Sequence, residues 1–156
     1  MKKDINEILC LETIDISDKE ISNKDNLFNT MSDMFLKAEK IKDKTSFIEA
    51  LYEREKTGST YMGNGLAIPH GKSETVQRAS IAFCRFKPFL YYNNKEEMAQ
   101  IALMLAIPKS TEQKEYISML ANITRLFLDE DFLEKLKTEK DKNIIMQEFE
   151  KRYKQI

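Results

Sequence analysis

The residues with the clearest chemical potential lie in one short segment, Glu53–Gly71, which holds the single histidine of the 156-residue chain. Pro69 precedes His70 and Gly71 follows it, and all four glycines of the chain lie between residues 58 and 71. Proline fixes the backbone and lacks an N–H donor, whereas glycine lets the chain turn at once. We therefore expect His70 at the end of a short buried strand, with its ring held near solvent.

Several groups suited to binding an anion lie near this histidine in the sequence. They are the guanidinium of Arg54, the hydroxyls of Ser59 and Thr60, and the backbone amides at Gly63 and Gly65. Arginine offers a planar fork of donors to phosphate, and glycines let backbone N–H groups approach an anion closely. A neutral imidazole among such donors suits transfer of a phosphoryl group through a phosphohistidine. Taken singly, His70 also fits a structural turn residue, and Arg54 also fits an exposed helix residue.

The composition argues against several other kinds of site. One histidine cannot form a two-His or three-His metal site, and Cys10 and Cys84 are too far apart for a C-x-x-C arm, so we expect no metal and no cofactor. The 25 basic and 26 acidic residues are interspersed, which argues against nucleic acid as a partner.

Neither a membrane span nor a secretory segment is predicted. The longest apolar run, Ile101–Ile107, is far shorter than a bilayer requires, and the first ten residues lack the apolar core of a signal peptide. We therefore expect no direct insertion into a membrane. The same features favour a cytoplasmic location in which both thiols stay reduced.

The elements that must position these residues follow from hydrophobic periodicity. Apolar residues at helical spacing predict a first helix, capped by Ser22 or Asn23, and a second that starts at a Ser46/Glu49 capping box and ends near Lys56. The first of these stripes consists of Leu27, Phe28, Met31, Met34 and Phe35. A further capping box at Ser110 and Gln113 predicts the next helix, and a short helix after Asp129 and a terminal one complete the chain.

The middle of the chain has a different pattern. Leu66–Ile68, Ser80–Phe86 and Ile101–Ile107 are nearly continuous apolar runs, which is typical of strands covered on both faces, and Tyr91–Glu97 is predicted to be a polar connection. Helices that flank buried strands indicate a layered α/β fold. The length favours one domain, residues 1–156.

The segment Arg54–Gly71 closely resembles the active-site segment of the fructose/mannitol family of enzyme IIA, phosphocarrier domains of the bacterial sugar phosphotransferase system. The pattern of that family has an acid, an apolar residue with Gly, then apolar-Ala-apolar-Pro-His-Gly. The matching residues here are Glu55, Met62, Gly63, Leu66, Ala67, Ile68, Pro69, His70 and Gly71. The order of helices and strands on both sides also fits, so the resemblance covers most of the chain.

This resemblance implies a fold and a function. The family fold is a mixed sheet of about five strands with helices on both faces, an α/β/α sandwich. His70 matches the histidine that takes phosphate, on Nε2, from the carrier HPr and passes it to an enzyme IIB, which serves a membrane IIC component. Arg54 matches the arginine that holds the phosphoryl group, and Thr60 matches a nearby hydroxyl residue.

One position departs from the pattern of the family. A second histidine is usual near the start of the helix after the core strand, and Tyr116 occupies that position here. A tyrosine can donate one hydrogen bond, but it is neutral near pH 7. Three functions therefore stay open: a transport phosphocarrier, a regulatory module of the nitrogen-related type, and a scaffold without activity. We also expect Tyr61, Met62 and Leu66 as candidates for a docking rim, although for Leu66 burial in the core is favoured.

Overall fold

A computed structural model describes residues 4–92 and 96–156. The helices are α1 (Lys24–Lys37), α2 (Lys44–Glu55), α3 (Gln113–Leu126), α4 (Glu130–Thr138) and α5 (Lys142–Lys154). The strands are β1 (Ile14–Lys19), β2 (Tyr61–Gly63), β3 (Leu66–Ala67), β4 (His70–Ser73), β5 (Ser80–Tyr92) and β6 (Glu97–Pro108). Short 3₁₀ helices span Ile5–Glu7 and Leu11–Thr13.

The described strands form one mixed sheet in the order β1-β5-β6-β3-β2. β5 and β6 are antiparallel, whereas β3 and β4 both run parallel to β6. Because β5 occupies one side of β6, β3 and β4 follow one another along its other side. The predicted mixed α/β sandwich is confirmed, with six strands in the described residues instead of about five.

Two hydrophobic cores lie on opposite faces of this sheet, which explains the continuous apolar runs. Along β6, Ile101, Leu103, Leu105 and Ile107 pack into the core that α3, α4 and α5 cover. The alternate residues Ala102, Met104 and Ala106 pack into the core that α1 and α2 cover. A strand buried on both faces has no polar positions to reveal its period of two. None of the helices in the described residues is long and apolar enough to cross a bilayer.

The helix starts correct two of the predictions. Asn23 caps α1 as expected, because its side chain accepts from the Asn26 N–H. The cap of α2, however, is Asp43, and Ser46 donates its hydroxyl to Asp43 instead of forming a box with Glu49. The N-cap of α3 is Glu112, so the predicted box at Ser110 and Gln113 is wrong.

The strands also differ from the predictions. β1 lies in the first third of the chain, which the sequence favoured as helical. β5 and β6 extend into the expected polar connection at Tyr91–Glu97, of which residues 93–95 lie outside the described residues. His70 begins β4 instead of ending a strand, and Gly71 continues that strand without a turn.

Gly71 is needed for packing. A Cβ at this position would lie 3.0 Å from the Leu51 nitrogen and 3.1 Å from both the carbonyl carbon and the Cβ of Ala50, so the backbone of α2 runs directly against β4. This close approach fixes the last turn of α2, which carries Arg54, relative to the strand that begins at His70.

We expect Gly71→Ala to lower the free energy of unfolding by about 1–3 kcal/mol, because α2 must move away from β4. Chemical denaturation of the variant and of the wild-type protein measures this loss. Ser110→Ala is the control and should change stability by less than about 0.5 kcal/mol, because Ser110 is exposed and caps no helix. Equal stability of Gly71→Ala and wild type would contradict the close packing of α2 on β4.

Candidate active site

Three elements bring three of the predicted residues together. β4 carries His70, which lies beside Leu105 and therefore on the sheet face that α3 covers. α3 carries Tyr116 in its first turns, and the ring centroids of His70 and Tyr116 are 5.9 Å apart. Arg54, in the last turn of α2, is close enough to act electrostatically on both Tyr116 and His70.

The hydrogen bond of the His70 ring determines which nitrogen is available. Nδ1 lies 3.0 Å from the carbonyl oxygen of Ile68. A carbonyl oxygen only accepts, so Nδ1 carries the proton in the neutral ring and Nε2 carries the lone pair. His70 is only 6% exposed, so the prediction of a ring held near solvent is wrong. Nε2 itself is buried and has no hydrogen-bond partner among the described residues. The ring thus presents an unoccupied nucleophilic nitrogen.

The surroundings also keep His70 neutral. Burial is the main cause that lowers the pKa of His70, and the positive charge of Arg54 lowers it further. The hydrogen bond to Ile68 and the negative charge of Glu55 oppose this shift without reversing it. A neutral imidazole at pH 7 is the form that can attack an electrophile.

The guanidinium of Arg54 is held by two hydrogen bonds and has further N–H donors. Nη1 donates to the hydroxyl of Thr57 and to the carbonyl of Gly58, both at 2.9 Å. These bonds tie the side chain to the turn after α2. Because a guanidinium has five N–H donors in a planar fork, donors remain for an anion at His70.

Tyr116 borders the ring as a neutral group. Burial raises the pKa of the Tyr116 hydroxyl, and the nearby Arg54 only partly opposes that shift. The phenol therefore stays protonated at neutral pH and can donate a hydrogen bond, but it adds no positive charge.

The hydroxyls of Thr60 and Ser59 already have carboxylate partners. Thr60 is buried, and its Oγ1 lies 3.0 Å from Glu55 Oε1 and 2.7 Å from the hydroxyl of Tyr91. Ser59 donates to Glu97 at 2.7 Å. Both hydroxyls are thus engaged with carboxylates, and among the described residues neither has a hydrogen bond to the His70 ring.

Gly63 and Gly65 form the turn between β2 and β3, where both have positive φ. The Gly65 N–H donates to the Tyr61 hydroxyl, and its carbonyl accepts from the backbone N–H groups of residues 100 and 101 of β6. His70 lies four residues farther along β6, beside Leu105, which is about 13 Å at ordinary strand spacing. The structure therefore does not bring these glycines to the histidine.

The sequence prediction missed Lys72, which lies next to Tyr116. Its Nζ is 5.1 Å from the Tyr116 ring centroid and donates to the Thr111 carbonyl at 3.0 Å. The sequence did contain evidence for Lys72, because it follows His70 by two residues and residues i and i+2 of a strand lie on one face of the sheet. It was missed because Gly71 was expected to turn the chain directly after His70.

A buried carboxylate lies behind the site. The Glu55 side chain is only 7% exposed, and Lys24 Nζ is 3.4 Å from its Oε1. The hydroxyl of Tyr91 also donates to Oε1, at 2.8 Å. Burial, with the charge of Glu55, raises the pKa of Tyr91 far above its ordinary value, so this hydroxyl keeps its proton. These bonds connect the end of α2 to α1 and β5 and hold the residue next to Arg54.

Comparison with known proteins identifies the family. A family model described as "Phosphoenolpyruvate-dependent sugar phosphotransferase system, EIIA 2" matches residues 7–152. The chain therefore belongs to this family, and the resemblance stated from the sequence is confirmed.

Two curated relatives represent different arrangements of the domain. The chain is 27% identical over 134 residues to a fructose-specific EIIA component of Haloferax volcanii, covering 85% of this chain and 86% of that protein. It is 30% identical over 133 residues to a fructose-specific EIIABC component of Bacillus subtilis, of which it spans only 21%. The first relative is nearly the same length, and the second is much longer.

Solved structures share the fold. The nitrogen regulatory protein IIA-Ntr of Neisseria meningitidis has a TM-score of 0.80 and 28% identity, with 96% of this chain and 98% of that chain covered. The enzyme IIA in the Escherichia coli complex of mannitol IIA with phosphorylated IIB has a TM-score of 0.74 at 18% identity, covering 96% of this chain and 100% of that chain.

Because the chain has one histidine, its titration can be followed by NMR without assignment of competing signals. We expect a midpoint below the ordinary value of about 6.5, and a neutral tautomer protonated on Nδ1. Arg54→Gln should raise the midpoint and Glu55→Gln should lower it, because each removes one of the charges that act on the ring. A midpoint above 6.5, or a proton on Nε2, would contradict the geometry.

Proposed function

We propose that this protein is a phosphocarrier that accepts a phosphoryl group from phospho-HPr on His70 and passes it to an enzyme IIB. The observation that carries the proposal is the unoccupied Nε2 lone pair of a neutral His70, next to Arg54. The family to which the chain belongs supports the same role. The proposed reaction needs no metal or cofactor.

The first transfer uses the ring as nucleophile. The Nε2 lone pair attacks the phosphorus, the N–P bond to the donor breaks, and its electron pair stays on the donor nitrogen. The positive charge gained by the His70 ring is delocalised over both nitrogens, and the Nδ1–H bond to the Ile68 carbonyl stabilises it. The Arg54 fork binds the equatorial oxygens, where charge is spread in the transition state.

The second transfer reverses these roles. A nucleophile of the acceptor attacks the phosphorus, the bond to Nε2 breaks, and the ring returns to its neutral state. A solved complex of a mannitol IIA with phosphorylated IIB supports an enzyme IIB as the acceptor. Transport by a membrane IIC would then depend on IIB, and the carrier itself would act in the cytoplasm.

The surface around the ring suits brief docking of both partners. Ile117 follows Tyr116 and is 56% exposed. Met62 is 52% exposed, but it lies in β2 beside the turn whose glycines are about 13 Å from His70, so it is not part of this surface. Tyr61 is half-buried and Leu66 belongs to the core. Small exposed apolar groups around a reactive residue favour weak, transient association over a permanent interface.

A regulatory role is the second candidate. It would use the same phosphorylation of His70 but end in binding to a kinase or regulator. Two observations favour it, namely Tyr116 at the position of the usual second histidine and the likeness to IIA-Ntr of Neisseria meningitidis. An inactive scaffold is the weakest alternative, because the Nε2 lone pair and Arg54 are both in place.

Incubation with phosphoenolpyruvate, enzyme I and HPr should place one acid-labile phosphate on the protein. His70→Ala should abolish the label, and Arg54→Ala should slow labelling by about 10²–10³-fold, because it removes a charged donor from the transition state. Label on His70→Ala would refute the assignment of the nucleophile, and no label on the wild-type protein would refute the phosphocarrier function.

The transport and regulatory functions can be distinguished by whether the phosphate on His70 is passed to an enzyme IIB. A transport carrier passes its phosphate to a IIB protein encoded beside it within seconds, whereas a regulatory module keeps its phosphate in the presence of that IIB. Retention of the label with every neighbouring IIB would favour the regulatory function.

A further inference from the structure

We propose that Lys72 is a second phosphate-binding cation of this site and supplies the charge that Tyr116 cannot supply. The inference rests on the proposed phosphorylation of His70 and extends it to a residue outside the recognised motif. In the described residues, the cations next to the His70 ring and to Tyr116 would then be Arg54 from α2 and Lys72 from β4.

Lys72 lies on the correct face of the sheet. It is the second residue after His70 in β4, and residues at that spacing project to the same side with their Cα atoms about 6.6 Å apart. Tyr116 is the common neighbour of His70 and Lys72, because Lys72 Nζ is 5.1 Å and the His70 ring centroid is 5.9 Å from the Tyr116 ring centroid. Tyr116 thus lies against both the nucleophile and the ammonium.

The contacts of the ammonium leave it able to bind an anion. Among the described residues, its contacts are the Thr111 carbonyl and the face of the Tyr116 ring, and no carboxylate pairs with it. Lysine has three N–H donors, so two remain after the bond to Thr111. A cation–π contact positions the ammonium at modest cost, about 0.5–1 kcal/mol at an exposed site, and a phosphate oxygen can replace it.

The charge of a phosphoryl group on His70 also favours two cationic side chains around it. A phosphorylated side chain carries between about −1.5 and −2 charges near pH 7. The negative charge of Glu55 is already matched by Lys24, which leaves Arg54 and Lys72 to face the phosphoryl group. One guanidinium alone would leave much of this charge unbalanced in a partly buried site, where unpaired charge is costly.

This arrangement gives Tyr116 a specific role. Its ring contacts the ammonium of Lys72 and borders the ring of His70, and Arg54 acts on its hydroxyl. The residue therefore positions both cations while staying neutral itself. A lysine two residues after the nucleophile thereby takes over the charge expected of a second histidine.

The test compares Lys72→Gln with Lys72→Arg and with a matched lysine outside the site. Lys109 is the matched control, because it follows β6 and its exposed side chain pairs only loosely with Glu74, at 3.7 Å. We expect Lys72→Gln to accept phosphate from phospho-HPr at least about tenfold more slowly than wild type, with Lys72→Arg within about threefold and Lys109→Gln unchanged.

A second test follows Lys72 and the phosphoryl group by NMR. On phosphorylation of the wild-type protein, the NMR signals of the Lys72 side-chain end should shift and those of Lys109 should not. In the phosphorylated Lys72→Gln variant, the pKa of the phosphoryl group, followed by ³¹P NMR, should be higher than in wild type, because a cation has been removed.

The outcomes separate the two proposals. Equal labelling of wild type and Lys72→Gln, with Arg54→Ala still slow, would overturn the role of Lys72 and leave the phosphocarrier function intact. Lys72 signals that do not move on phosphorylation would also overturn that role alone. Failure of wild type to take up phosphate would overturn both.

Discussion

The site depends on the hydrogen bond between Nδ1 of His70 and the carbonyl of Ile68, two residues earlier in the chain. This bond fixes the orientation of the ring and its tautomer, so the lone pair lies on Nε2. The same carbonyl can stabilise the charge that the ring gains on phosphorylation. Burial and Arg54 then keep the resting ring neutral. The hydrogen bond therefore determines which nitrogen can act as the nucleophile, and burial with Arg54 determines the resting charge state.

The rest of the fold positions the side chains that surround the His70 ring. α2 reaches the site because Gly71 lets its backbone contact β4. Glu55 ties the end of that helix to α1, to β5 and to Thr60, the residue before β2. α3 brings Tyr116 from the other direction. β4 contributes twice, because its alternation places His70 and Lys72 on one face and Gly71 on the other. The proposed phosphate site therefore lies where the start of β4, the end of α2 and the start of α3 meet.

Much of this could be predicted from the sequence, and the failures have physical causes. The layered α/β fold and the helix stripes followed from periodicity, and the mixed sheet followed from the family resemblance. His70, Arg54 and Tyr116 do meet. β1 was missed because it is a mostly exposed edge strand whose apolar/polar alternation covers only Ile14–Ser17. Ser59, Thr60, Gly63 and Gly65 are near His70 in sequence, but their hydrogen bonds go to Glu97, Glu55, Tyr61 and β6, and such pairings depend on tertiary contacts. Lys72 was missed because the steric reason for Gly71, the passing helix α2, is not visible in the sequence.

The position of the phosphate on the His70 ring is the most direct test of this mechanism. Uniformly ¹⁵N-labelled protein, phosphorylated through phospho-HPr, gives separate nitrogen signals for the two ring positions, and coupling to phosphorus identifies the one that is bonded. We expect phosphate on Nε2, with Nδ1 still bonded to the Ile68 carbonyl. Phosphate on Nδ1 would contradict the mechanism, because that nitrogen could be reached only by breaking the bond on which the site depends.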